Sequence, residues 1–379
     1  MRIIVSLLAA MLVIAATAMA SSTSTGISRD FNPAISANSL ILYSSGLLAE
    51  AEEEGGEEHD HDHGLGAGLF IQETELQLSA NVDPYSKAVL TLAMHGTSGI
   101  ELEEGFLQTR RLPMNLGLRA GQFLWEFGKH NSYHTHQYPF VERPQAWDEL
   151  LGEHGLSGVA LELSWLSPLP WFAEVSGNVF PLNHSVYGEH AEAPENVWGQ
   201  SARLKQLFEL GERSTLEFGG SWLASKVAHE HEDEIEEGDR IFLGLDATWK
   251  WIGSGANAKQ YELQGEWLRR GDTLPDEEIT HDGWYLAGRA KVSRRIWIGA
   301  RYDAFLPQSD DEHEGEKEEG EEHGHLEEGS TIAVSLAFVP SEFQAWRLDL
   351  MQRSIGEENY NGLRLQANFT IGSHPAHRY

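Results

Sequence analysis

The feature that most constrains this chain is a strict two-residue alternation that returns along almost its whole length. Near the end, Leu363, Leu365, Ala367, Phe369 and Ile371 alternate with Arg364, Gln366, Asn368 and Thr370. Val159, Leu161, Leu163 and Trp165 alternate with Ala160, Glu162 and Ser164 in the same way, as do Leu216, Phe218, Gly220 and Trp222 with Thr215, Glu217, Gly219 and Ser221. Successive side chains of a strand point to opposite faces, so each run has one oily face and one wet face. About 16 such runs follow residue 33, each near the roughly 9 to 11 residues of a tilted membrane strand.

The connections between runs alternate in length. Short turns are expected at 82–86, 110–115, 167–170, 211–213, 253–257, 293–294 and 340–342. Between them lie 44–67, 125–154, 181–196, 226–238, 270–281 and 306–328, with 97–99 and 355–359 as the two short members of that set. This rhythm is what an up-and-down barrel with periplasmic turns and extracellular loops requires. The expected fold is therefore all-β: a transmembrane, up-and-down antiparallel β-barrel of about 16 strands.

A soluble β-sandwich also alternates, but two features weigh against it. Wet faces carry full charges, among them Glu262, Arg301, Arg347, Asp349 and Arg364, and tryptophans recur at or near strand ends, including Trp165, Trp171, Trp249, Trp251 and Trp284. Charges suit a water-filled lumen, and tryptophans suit the two membrane interfaces. On the expected inner faces Arg119, Arg203, Lys205 and Arg289 stand with Glu101, Glu103, Glu162, Glu217 and Glu266, a mixture that would set ion selectivity.

The N-terminus reads as an export signal: Met1 and Arg2, an apolar stretch over 3–16, then Ala18-Met19-Ala20 as an A-x-A cleavage site. Residues 1–20 are thus expected to be removed, leaving 21–379 as the barrel. No later segment approaches the run of about 18 apolar residues that a membrane helix needs. A chain that spans a membrane without helices must close into a barrel, because lipid offers backbone groups no partners.

Charge narrows the partners. There are 59 acidic residues against 27 basic ones, a net charge of -32, which excludes recognition of nucleic-acid phosphates. Three segments, 50–63, 229–239 and 310–328, hold 26 of those acids with Lys317 as the one base, and all three fall on the same side of the expected barrel. Cysteine is absent, which removes thiolate metal sites, disulfides and Cys nucleophiles.

Histidines concentrate with the acids: 15 of 18 lie in the expected outer loops. His59, His61 and His63 alternate with Asp60 and Asp62, His229 and His231 flank Glu230, and His313, His323 and His325 sit among carboxylates. Imidazole with carboxylate suits zinc and other borderline divalent ions, here as weak, multiple sites without fixed geometry. The bland alternative is a hydrated, solvated surface. No cofactor is required by anything in the chain, and G-x-S-x-G, H-E-x-x-H and phosphate-loop motifs are absent, so no enzyme is expected. The third outer connection, 125–154, gathers His130, His134, His136, Glu142, Arg143 and His154.

Several segments carry a resemblance: Phe31-Asn32-Pro33-Ala34-Ile35-Ser36, Glu101-Leu102-Glu103-Glu104-Gly105-Phe106, the run 120–136 and the tail 371–379. They resemble proteobacterial outer-membrane porin-like proteins, akin to phosphate-selective porins and often labelled zinc-regulated outer-membrane receptors. In 120–136 the family's A-G-R-F, Gly, Asn and His pattern is matched by Ala120, Gly121, Phe123, Gly128, Asn131, His134 and His136, and Gln122 departs from the usual basic residue. The resemblance implies a porin-type channel in the outer membrane, tied to zinc supply, with small solutes or metal ions as its traffic and membrane lipid around it. It also implies that the third loop folds inward, with His130, His134, His136, Arg119, Arg143 and Glu162 at the constriction, and it admits a homotrimer. An energy-coupled receptor with a barrel of about 22 strands and a plug is not expected, since the mature chain, 379 residues less the expected signal 1–20, cannot supply both and its alternation starts by about residue 33. Two readings compete with a passive channel: a plugless metal-capturing receptor, and a structural or adhesive barrel without conductance.

Overall fold

A computed structural model of the chain describes residues 33–46, 67–96, 99–110, 112–152, 155–182, 186, 197–231, 234–255, 258–275, 277–309, 327–356 and 358–372. Its first eight strands are β1 (Ala34–Ser44), β2 (Gly68–Asn81), β3 (Ser86–His95), β4 (Glu101–Thr109), β5 (Leu116–Leu124), β6 (Ser157–Leu166), β7 (Phe172–Pro181) and β8 (Trp198–Glu209). The second eight are β9 (Ser214–His231), β10 (Glu234–Ile252), β11 (Gln260–Thr273), β12 (Glu278–Lys291), β13 (Ile296–Ser309), β14 (Gly329–Ser341), β15 (Gln344–Ile355) and β16 (Glu358–Gly372). Each pairs antiparallel with its sequence neighbours, and β1 pairs with β16 from Ser36↔Gly372 to Ser44↔Arg364. The sheet is a closed barrel of 16 strands, as the alternation requires.

Burial along the strands is inverted relative to a soluble protein. On β6, Leu161 and Leu163 are exposed while Glu162 between them is buried; on β15, Trp346 and Leu350 are exposed while Arg347 and Asp349 are buried. Asp349 and Arg364 are 0% exposed, whereas Ile371 is 66% exposed. An outward apolar band with inward charge is the arrangement of a barrel in lipid, where a charge on the outer face costs roughly 2–4 kcal/mol at mid-depth. Inward charges are instead met across the ladder. Arg119 reaches Glu162 at 2.6 Å, Arg289 reaches Glu262 at 2.8 Å, and Arg203 reaches Asp246 at 2.8 Å over Gly219, where a Cβ would overlap the Asp246 carboxylate.

The short turns fall where the alternation puts them, but two of the long connections do not. Residues 226–238 are not a loop: β9 extends to His231 and β10 starts at Glu234. From Glu234 to Gly238 β10 pairs only with β9, as a two-stranded ribbon rising past β11, whose pairing with β10 ends at Asp239↔Thr273. Residues 270–281 likewise belong mostly to β11 and β12. An acidic run reads as solvated loop, yet charge on the side chains does not by itself oppose backbone pairing. Segments 1–20, 50–63 and most of 310–328 lie outside the described residues.

The chain's apolar core lies inside the barrel, toward the end that carries the long connections. Trp125, Phe127, Phe140, Trp147, Leu150 and Leu151, all from one connection, are buried against Phe180, Phe242 and Phe305 of the wall. Trp125 stacks on Phe180 and Phe127 meets Phe242 edge-on at 6.0 Å. Each such side chain contributes about 1.5–3 kcal/mol by leaving water, so the connection between β5 and β6 is a packed element.

Candidate functional site

That connection, the third on its side, leaves β5 at Trp125, folds into the lumen and returns to β6 at Leu156. Asn131 ties its neck: its amide nitrogen donates to the carbonyls of Trp125 and Leu156, both at 2.9 Å, and its oxygen accepts from the Leu156 amide at 2.8 Å. Two short 3-10 turns, His130–Ser132 and Thr135–Gln137, and a short helix α1 (Gln145–Leu151) give the loop internal structure.

Wall residues seat the loop through its backbone. The Glu266 carboxylate on β11 accepts from the amides of Lys129 at 2.9 Å and His130 at 3.1 Å, and from the Tyr285 hydroxyl at 3.2 Å. Asp349 on β15 accepts from the Val141 amide at 2.7 Å, and Asp303 on β13 accepts from the Gln145 amide at 2.8 Å. Arg301 donates to the carbonyls of Glu142 at 2.6 Å and Arg143 at 3.2 Å, and Asn368 on β16 donates to the His136 carbonyl at 3.0 Å. Charge-assisted bonds of this kind are roughly twice as strong as neutral ones. Glu142 adds side-chain pairs with Arg364 at 2.7 Å and Arg353 at 3.3 Å.

Gly128 permits the closest of these approaches. Its φ is +58°, and a Cβ there would overlap Glu266 Oε1. Gly128→Ala is expected to break the Glu266 contact and speed amide exchange at Lys129 and His130 on the order of tenfold or more, as a strain of about 1–3 kcal/mol implies. Unchanged exchange at both amides would show that Glu266 does not seat the loop.

The residues expected at a constriction have separate surroundings. His130 is buried in an aromatic cage of Tyr133, Tyr138, Trp147 and Tyr285, with ring centroids 4.8–6.4 Å away. Burial, helped by the charges of Arg143 and Arg301, holds its imidazole well below the usual histidine range, so it packs as a neutral ring. Arg143 pairs with Asp148 within the loop. Arg119 lies on the wall, paired with Glu162 and stacked on Phe123 at 3.9 Å. Beside the loop at β3–β6 a cavity of about 490 Å³ is lined by loop residues such as His130, Tyr138 and Arg143 and by wall residues of both faces, among them Glu103 and the outward-facing Gln122 and Val159.

His134 and His136 sit elsewhere, against β2 and β4. His134 Nδ1 lies 3.1 Å from Glu103 and 3.2 Å from Glu75, and its Nε2 lies 3.3 Å from Glu104. His136 Nδ1 lies 3.3 Å from the same Glu75 oxygen, and the two imidazoles stack at 5.7 Å. Burial alone would lower the His134 pKa, but hydrogen bonds to Glu103, Glu104 and Glu75 outweigh it and hold the ring well above its usual range. Glu73 and Glu75 escaped the sequence reading. Their i, i+2 spacing on β2 was the available signal.

Of the residues read as metal ligands, His59, His61, His63, His313, His323 and His325 lie outside the described residues. His229 and His231 lie on the upper part of β9, in register with Glu236 and Glu234, and their side chains are also outside what is described.

No protein-family model matches the chain. An uncharacterized protein of Aquifex aeolicus is 28% identical over 337 residues, covering 80% of this chain and 69% of that one. Among solved structures, the outer-membrane channel DcaP of Acinetobacter baumannii covers 91% of this chain and 99% of its own, with a TM-score of 0.58 at 10% identity. A loop-deletion mutant of the outer-membrane protein OmpT of Vibrio cholerae gives 0.56 at 9% identity, covering 89% and 99%. The anion-selective porin of Comamonas acidovorans gives 0.53 at 11%, covering 89% and 98%. The likeness is one of fold: the chain has the closed barrel of outer-membrane porins.

Proposed function

We propose that this porin-type barrel lies in the outer membrane and is a channel for passive diffusion of small solutes or ions, whose acidic, His-rich outer segments gather divalent cations, zinc among them. The observation that carries the reading is the inward-folded loop. It is seated on charged wall residues inside a barrel whose outside is apolar, and so narrows the lumen. The negative outer segments raise the local concentration of cations at the mouth before any specific contact forms.

One observation favours a second reading, a metal-capturing receptor that conducts little: the loop carries a buried aromatic core into the lumen. Recording single channels in planar bilayers, with zinc and then with chelator, separates the two. Steady open conductance is expected, together with heat-modifiable gel migration and recovery in the outer-membrane fraction. A silent protein that still takes up zinc would replace the channel reading with the receptor, and a silent protein without zinc uptake would leave a structural barrel.

A further inference from the structure

The acids around His134 and His136 differ from the acids of the lumen that an arginine pairs, as at Arg119–Glu162, Arg203–Asp246, Arg289–Glu262 and Arg364–Glu142. Here Glu73, Glu75, Glu103 and Glu104 converge, and among the described residues their ion pairs are with histidines alone, His95, His134 and His136. Glu73 is 2% exposed, and neither of its oxygens receives a well-formed hydrogen bond. A buried carboxylate in that state is costly unless it takes up a proton or a cation joins it.

The backbone is shaped to bring these groups together. The β3–β4 ladder steps from Thr91↔Glu104 to Leu92↔Leu102, which leaves Glu103 as an extra residue, so the consecutive Glu103 and Glu104 both reach His134. The β1–β2 ladder slips at Leu40↔Glu73 and Ile41↔Ile71, leaving Gln72 as the extra residue beside Glu73. Bulges re-aim side chains and gather at functional sites. Two of them flank one cluster.

We propose that Glu73, Glu75, Glu103, His134 and His136 form a binding site for one divalent transition-metal ion of the zinc class. Donor atoms of Glu73, Glu75 and His136 lie within 4.8 Å of one another, as do those of Glu75, Glu103 and His134. Spacing fits the ion. Bonds of about 2.0–2.1 Å at tetrahedral angles put neighbouring ligand atoms about 3.3 Å apart, and the Glu75 oxygen lies 3.2 and 3.3 Å from the two imidazole nitrogens, while Glu103 lies 3.1 Å from His134. Imidazole with carboxylate selects borderline ions over calcium or magnesium, which take oxygen ligands. Binding displaces the proton from the nitrogen that ligates, so uptake releases protons.

Such an ion would fasten the loop to the side of the lumen that its arginine and carboxylate anchors do not reach. Those anchors lie on β9, where Glu217 pairs with Lys129, and on β11, β13, β15 and β16, whereas the metal ligands tie residues 134 and 136 to β2 and β4. The site differs from the weak outer-segment sites in being single and buried, and it stands whether or not the pore conducts.

The test uses the full chain, folded in detergent and stripped with chelator, with His59, His61, His63, His229, His231, His313, His323 and His325 replaced so that the outer segments contribute little. Calorimetric titration with zinc is expected to find one tight site per chain. Combining Glu75→Gln with His134→Gln should weaken it by more than the about 10–100-fold that loss of an outer-shell partner costs. Cobalt(II) added to the stripped protein should give the visible absorption of a four- or five-coordinate site, stronger than that of the hydrated ion and lost in the same double variant. Heat-modifiable migration certifies that each variant is folded. Absence of a tight site in the parent, or tight zinc unchanged in a folded double variant, would overturn the proposal.

Discussion

Excising His130–Leu151 and joining its neighbours through a short Gly-Ser linker should raise single-channel conductance several-fold in planar bilayers. Conductance follows the free cross-section of the narrowest level, and at that level the loop brings Phe140, Trp147, Leu150 and Leu151 into the lumen as a buried cluster. The barrel should survive, because its strands are held by a closed ladder of backbone pairs that includes no residue of the loop. The wall groups that seat the loop, Glu266, Arg301, Asp303 and Asp349, would then face water, where their charge costs little. Gel migration should stay heat-modifiable. Equal conductance before and after excision would show that the narrow point lies elsewhere and that the loop is a structural filling.

The largest effect of a single substitution is expected at Glu142. Its two oxygens accept from Arg364 at 2.7 Å and Arg353 at 3.3 Å, and the Arg364 side chain is fully buried. Glu142→Ala leaves two guanidinium groups facing each other without their shared carboxylate. Breaking a buried pair from one side costs about 3–5 kcal/mol, and water in the lumen places this case at the low end, about 3 kcal/mol. That cost falls on the seat of the loop and not on the ladders, so it is expected as local opening, with the global transition little changed. Hydrogen exchange over 139–146 should quicken by about two orders of magnitude, and chymotrypsin should gain access to Phe140. Pairing Glu142→Ala with Arg364→Met should restore part of the protection, since the unpaired charge is then gone. Protection that is unchanged in Glu142→Ala would mean that packing alone seats this segment.

Alternation is a local property, and it carried most of the architecture. Leu363 to Ile371 show their two faces without any neighbour being known, because side-chain direction in a strand depends only on position along it. The same holds for the inward placement of Arg119, Glu162, Glu262 and Arg364, whose charges have no tolerable place in lipid. The number of strands, the closure they demand and the inward charge were therefore legible from the sequence. The acidic run at 229–239 misled because charge marks exposure to water and says nothing about backbone pairing; β9 and β10 pair through it in a ribbon.

What tertiary structure alone decided is the inside of the barrel. The loop's seat joins residues far apart in the chain, such as His130 with Glu266 and Glu142 with Arg364, and no local pattern encodes which wall group a backbone amide will meet. Phe140 and Trp147 belong to a loop, and only the wall, with Phe305 and Tyr285, makes them part of a core. The cluster around His134 needed still more. Glu73 and Glu75 came from one strand, Glu103 and Glu104 from another, and the extra residues at Gln72 and Glu103 broke the two-residue rhythm that located the strands. A bulge is set by the fit between neighbouring ladders, so only the assembled barrel could turn two consecutive glutamates toward the same histidine.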